Sequence, residues 1–153
     1  MVLRNLLSGK EDTIKHVTEY VFSRNGKSLA YILKPGAKDT ISKPGVGLID
    51  LSNLNKRIVS ENQKTYKNIS LSESGGKLTF LATADSLKKE IRNYSLFYFG
   101  NTSDSAFVVA DKGTLGMPDK WNVSENYSPS FSKDEKKLFL GTAPIVLPKD
   151  TTI

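Results

Sequence analysis

The chain has 153 residues, 38% of them hydrophobic, and lysine and arginine outnumber aspartate and glutamate 22 to 16, giving a formal charge of +6. That length supports one modest core, and lysines scattered through turns and loops argue for solvated surface and against a nucleic-acid footprint. The absence of cysteine excludes disulfides, thiolate zinc sites and a cysteine nucleophile, and no run approaches the ~20 apolar residues of a membrane span.

In chain order, Val2–Leu7 reads as one short strand ending at the turn Ser8-Gly9-Lys10, with no hairpin partner of its own. It is too short and too soon polar for a secretory signal, so the chain is expected either to be cytosolic or to begin inside a longer protein, and the second is preferred. Strands follow at Val17–Phe22 and Ser28–Leu33, joined through Asn25-Gly26, a dipeptide that supplies the positive φ of a tight hairpin. Lys34–Gly45 is bracketed by two Pro-Gly pairs and must be a loop, because proline cannot donate to a ladder. Val46–Leu51 then turns at Ser52–Asn55 into Lys56–Ser60. A second set of four strands is expected near Tyr66–Leu71, Lys77–Ala82, Tyr94–Phe99 and Ala106–Ala110, with a helical turn in the connection Thr83–Asn93, where Asp85 can cap. The cluster Tyr94, Phe97, Tyr98 and Phe99 alternates poorly with polar residues, as a strand packed on both faces would. Past Trp121, one more hairpin is expected at Tyr127–Thr142.

The hairpins share a frame. Phe22, Leu71 and Phe131 are each followed by serine and, seven positions on, by Leu29, Leu78 and Leu138. The spacing between copies is that of propeller blades or slightly longer, and too long for most helical repeats. The expected fold is therefore all-β, built of blades of four antiparallel strands: an outer strand of a preceding blade in residues 1–10, blades at 17–60 and 66–110, and the first half of a third at 127–153. About two and a half blades make an open partial propeller, since a closed ring needs about four or more. Links within hairpins are short, whereas the second-to-third and fourth-to-first links are long and leave the blades on one face. That face is the expected partner or substrate surface, and it carries Lys38, Asp39, Lys88, Lys89, Arg92 and Trp121.

The blade hairpin Pro129-Ser130-Phe131-Ser132-Lys133-Asp134-Glu135-Lys136-Lys137-Leu138-Phe139 resembles those of TolB-like propellers and of the propeller domain of prolyl-oligopeptidase-family serine peptidases. The stretches Leu6–Lys10, Lys34–Gly45 and Gly116–Trp121 favour the peptidase side of that resemblance. It implies a cap that filters substrates by size, partnered by the rest of a propeller and by a C-terminal α/β-hydrolase domain, in a bacterial cytoplasm or periplasm. A peptide substrate or a protein partner is then expected, and neither nucleic acid nor a membrane span. The alternative is a TolB-like protein-binding propeller. No Gly-x-Ser-x-Gly elbow is present, so no catalytic residue is carried over, and no Trp-Asp dipeptide ends a blade. His16, the lone histidine, has no nucleophile motif to serve and is expected at a loop or strand edge. One histidine without cysteine, and no Asp-x-Asp-x-Asp-Gly loop, leave no metal or other cofactor expected.

Overall fold

The repeated serine sets the architecture, because it closes each hairpin in the same way. In the computed structural model, which describes residues 1–147, the N–H groups of Ser23, Ser72 and Ser132 donate to the carbonyls of Ser28, Lys77 and Lys137, each at 2.9 Å. The serine hydroxyls accept the return N–H of the same residues at 2.9, 3.1 and 2.9 Å. Each turn passes through one left-handed residue at the same position, Gly26, Gly75 or Glu135. The frame read from sequence is thus reproduced in the strand register, with Phe22 opposite Leu29, Leu71 opposite Leu78 and Phe131 opposite Leu138.

Fourteen strands are formed among the described residues, and no helix. β1 (Val2–Arg4) and β2 (Glu11–Thr13) form an antiparallel pair, so the expected lone strand Val2–Leu7 is half of a hairpin. The turn signal at Ser8-Gly9-Lys10 is in place, but the strand ends earlier, at Arg4, because Leu6 and Leu7 only look like strand residues, and the partner is missing from the sequence reading because Glu11-Asp12-Thr13 is wholly polar. Leu6 and Leu7 are fully exposed at the tip of the turn, while Asn5 Oδ1 accepts the N–H of Leu7 and Ser8, both at 2.9 Å. An asparagine side chain bonding two and three residues on competes with strand pairing.

β3 (Val17–Phe22), β4 (Ser28–Leu33), β5 (Gly45–Asp50) and β6 (Asn55–Ser60) make one four-stranded antiparallel sheet in sequence order. β7 (Thr65–Leu71), β8 (Lys77–Thr83), β9 (Ser95–Gly100) and β10 (Phe107–Ala110) make the next. The connection before β9 is a tight turn, with Lys89 N–H on Ser86 O at 3.0 Å, in place of the expected helical turn. Asp85 spends its carboxylate on Lys89 and on the Asn93 N–H, closing a loop where it was expected to start a helix.

The third unit departs further from expectation. β12 (Ser130–Phe131) and β13 (Leu138–Phe139) are the ends of the repeated hairpin, but its arms extend outward to β11 (Trp121–Val123) and β14 (Thr142–Pro144), which also pair. Ser124–Pro129 bulge from the first arm against only Leu140–Gly141 of the second. Trp121 therefore heads a strand and is half-buried; it is not a loop residue. Residues 148–153, the end of the expected third blade, lie outside the described residues.

Alternate residues of each sheet serve opposite faces. Ala30, Ile32, Val46, Leu48 and Val59 of the first sheet pack against Tyr66, Ile69, Leu78, Phe80, Ala82, Phe97 and Phe99 of the second. The other face of the first sheet, Leu29, Tyr31 and Ile49, packs on Leu3 and Ile14 of the N-terminal hairpin. The other face of the second, Leu81, Tyr94, Leu96 and Ala110, meets Val123, Leu138 and Leu140 of the third unit. The aromatic strand β9 is accordingly packed on both sides, as read from its sequence, with Phe97 and Phe99 facing one neighbour and Leu96 the other. The first strands β3, β7 and β12 lie side by side, the convergence that stacked blades produce around an axis.

Candidate functional site

Hairpin turns and long links emerge on opposite faces, and the two faces differ in chemistry. On the turn face the blades latch together through their repeated loops. Arg24 Nη1 reaches Glu73 at 2.8 Å, and Asn25 Nδ2 donates to Ser74 O at 2.8 Å. Ser74 in turn donates its N–H and hydroxyl to the two oxygens of Glu135, at 2.7 and 2.9 Å. These bonds hold the Glu135 carboxyl below the usual range, with the Ser74 N–H the largest cause. A second latch runs nearer the first strands: the Glu19 carboxylate accepts the N–H of Asn68 at 3.1 Å and of Ile69 at 2.8 Å. Asn68 sits at a bulge with φ 56° and donates Nδ2 to Glu125 O, at 2.9 Å, in the third unit.

On the long-link face, the loop 34–44 is folded around Asp39. Its Oδ1 accepts the N–H of Ile41 and Ser42 at 3.0 and 2.9 Å, and its Oδ2 lies 3.0 Å from His16 Nε2. Chiefly through Ser42, first its N–H and then its hydroxyl, the Asp39 carboxyl is held down at about 2. His16 stands between strands with φ 61°, and its carbonyl accepts the Lys34 N–H at 2.8 Å. The pair thus ties the loop to the base of β3.

Loop 84–94 is closed by Asp85, which takes Lys89 Nζ at 2.9 Å and the Asn93 N–H at 2.7 Å and is lowered in pKa, first by Lys89. Asp39 and Lys89 are therefore engaged within their own loops. Lys38 and Lys88 are exposed and do not line the cavity that holds Arg92.

Arg92 is placed differently. It lines a cavity of about 350 Å³ between the first and second sheets, together with Leu87 of its own loop, Lys34 and Pro44 of the other long loop, and Lys64 and Lys67 around the start of β7. The two long loops do share a face, as their positions in the blade predicted. The fourth-to-first link that joins them there is only residues 61–64, shorter than expected. Lys67 is ion-paired to Glu125 at 2.8 Å and lies 5.5 Å over the Tyr94 ring. Lys34, Lys64 and half-buried Arg92 have no carboxylate partner among the described residues. The buried Thr65 hydroxyl, in the same lining, also has no hydrogen-bond partner. Sequence reading missed Lys34, Lys64 and Lys67 because each sits at or beside a strand end, where charge reads as ordinary solvated surface. The signal available was their common position, at blade junctions on one face.

No family model matches the chain, and no curated protein does. Solved structures do. TolB from Acinetobacter baumannii superposes with a TM-score of 0.54 at 16% identity, over 94% of this chain and 32% of that one. The chain has a β-propeller fold. The β-propeller domain of the Trilobed protease from Pyrococcus furiosus, described as an open velcro topology, gives 0.51 at 18% identity over 80% of this chain and 38% of its own. A prolyl endopeptidase gives 0.53 at 16% identity over 91% and 22%. The chain thus spans well under half the length of the propeller proteins it resembles, and the blades form an open, partial propeller.

Proposed function

We propose that the chain is a non-catalytic propeller segment that caps and gates a hydrolase domain of the prolyl-oligopeptidase type, presenting its long-link face to peptide substrate. The observation that carries this reading is the blade arrangement itself: consecutive sheets packed face to face, superposable on part of a prolyl endopeptidase and of an open-velcro protease propeller. In this reading the N-terminal hairpin, which covers the free face of the first sheet, belongs to a preceding blade, and residues 17–60, 66–110 and 127–153 are two blades and the beginning of a third. The peptide-facing surface includes Lys38, Asp39, Lys88, Lys89, Arg92 and Trp121, and of these Arg92 has the best-formed surroundings.

A TolB-like protein-binding propeller is the second reading, favoured by the 94% coverage of this chain on TolB. The two separate on the reading frame that flanks the chain. A Gly-x-Ser-x-Gly elbow encoded downstream supports the hydrolase cap; its absence, with a signal peptide encoded upstream, refutes the cap and leaves the TolB-like reading.

A further inference from the structure

We infer that the cavity between the first and second sheets on the long-link face is a binding site for an acidic peptide, with a carboxylate seated against Arg92 and an adjacent apolar side chain against Leu87. Three observations converge on it. First, the lining is cationic beyond its own needs. Lys67 is satisfied by Glu125, but among the described residues Lys34, Lys64 and Arg92 have no carboxylate within ion-pair distance, and Arg92 is half-buried while the two lysines are exposed. A partly desolvated guanidinium with five donors and no acceptor is costly until an anion arrives, and carboxylate matches its fork. Second, the one carboxylate in the lining does not compete: both oxygens of Glu19 accept β7 N–H groups, from Asn68 and Ile69. Third, the cavity holds more than a bare ion. Leu87 is 63% exposed beside it, Pro44 and Ile32 add apolar wall, and the Thr65 hydroxyl has no hydrogen-bond partner among the described residues.

A volume of about 350 Å³ suits one or two side chains, not a folded domain. Both long loops contribute, so an extended segment laid across the blade junction would meet the charges in turn. A neighbouring cavity of about 450 Å³ is lined by Lys15, His16 and Lys43, but it holds no arginine, His16 is already against Asp39, and Glu61 faces into it, so it is the weaker anion site. The cations around Arg92 surround one cavity, which suits an acidic peptide better than a polyanion that would track a basic stripe.

The proposal rests on the long-link face being the binding face. Whether that face caps a hydrolase is decided by the flanking reading frame, so failure here would remove this site and leave the cap reading standing. The test is calorimetric titration of the 153-residue chain with an acetylated octapeptide of alternating glutamate and leucine, in parallel with its glutamine counterpart and with inorganic phosphate. The glutamate peptide is expected to bind, to weaken as salt is raised from 50 to 500 mM, and to bind on the order of tenfold more weakly to Arg92→Gln. Lys27→Gln, in a hairpin turn on the opposite face, should leave it unchanged. Should Arg92→Gln fail to fold by circular dichroism, Lys64→Gln takes its place with a smaller loss in the same direction. Equal binding of the glutamine peptide, equal loss with Lys27→Gln, no binding of the glutamate peptide, or phosphate displacing it completely at equimolar concentration would overturn the site.

Discussion

Replacing Phe80 by alanine probes whether the two complete sheets stabilise each other as packed blades. Phe80 is fully buried on β8, its ring stacked on Phe97 at 5.4 Å between centroids and tilted against Tyr66 at 5.7 Å, within the cluster that includes Ile32 and Val46 of the first sheet. Truncation removes the transfer free energy of a whole ring and leaves a cavity flanked by two sheets that cannot both collapse into it. The expected cost is about 3–5 kcal/mol, a large part of the 5–15 kcal/mol by which domains are stable. For a chain of this size that is roughly a 10 °C fall in melting temperature. Denaturant unfolding followed by circular dichroism measures it, with Val46→Ala as the partner in a double-mutant cycle across the sheets. A coupling above about 0.5 kcal/mol is expected, because both side chains belong to one packed cluster. A cost below about 1 kcal/mol for Phe80→Ala, or strict additivity with Val46→Ala, would refute the reasoning.

Gly75→Ala should destabilise the chain by about 1–3 kcal/mol, because Gly75 has φ +75° and an added Cβ would lie 2.6 Å from Ser28 Oγ and 2.9 Å from Ser23 Cβ; unfolding midpoints unchanged from the parent would contradict the close approach of the two turns. The carboxyls of Asp39 and Glu135 are both depressed by folding, so each contributes stability that is complete above its unfolded pKa and lost as pH falls through its folded value. For Asp39 that window runs from about pH 4 down to about 2, and Asp39→Asn should flatten the acid limb of a stability-against-pH series there; an identical limb in the variant would show that the loop bonds do not matter. The purified chain should give no His16-dependent burst with an activated ester, and a burst abolished by His16→Ala would make the His16–Asp39 pair part of a catalytic site.

What was legible in the sequence was whatever recurs. The serine of each hairpin and the leucine seven positions from Phe22, Leu71 and Phe131 are local chemistry repeated three times, and they place the paired strands of the first two hairpins to within a residue or two; the left-handed position is legible only at Asn25-Gly26. What was illegible depended on contacts between repeats. Asn68 looks like an ordinary strand residue, yet its bulge aims two N–H groups at Glu19 and its amide at Glu125. The same holds for the cationic cavity, whose basic residues run from Lys34 to Arg92 and meet only because two sheets stack. Among the expected site residues, Asp39 was singled out by its loop, but its carboxylate is consumed in folding that loop; Arg92 differs in having no carboxylate partner among the described residues. The third hairpin was read short because the bulge at Ser124–Pro129 interrupts its pattern, hiding the pairing of Trp121–Val123 with Thr142–Pro144.

The central claim, that these are blades of an open array, predicts unsatisfied ends. Phe139 is 48% exposed on β13, which has one pairing partner among the described residues, and unpaired strand edges are templates for association. Light scattering of the isolated chain over a hundredfold concentration range tests this directly. A mass that climbs with concentration above that of the monomer is the predicted result. A compact monomer of constant mass across the whole range would contradict it, since the strands would then have closed on themselves.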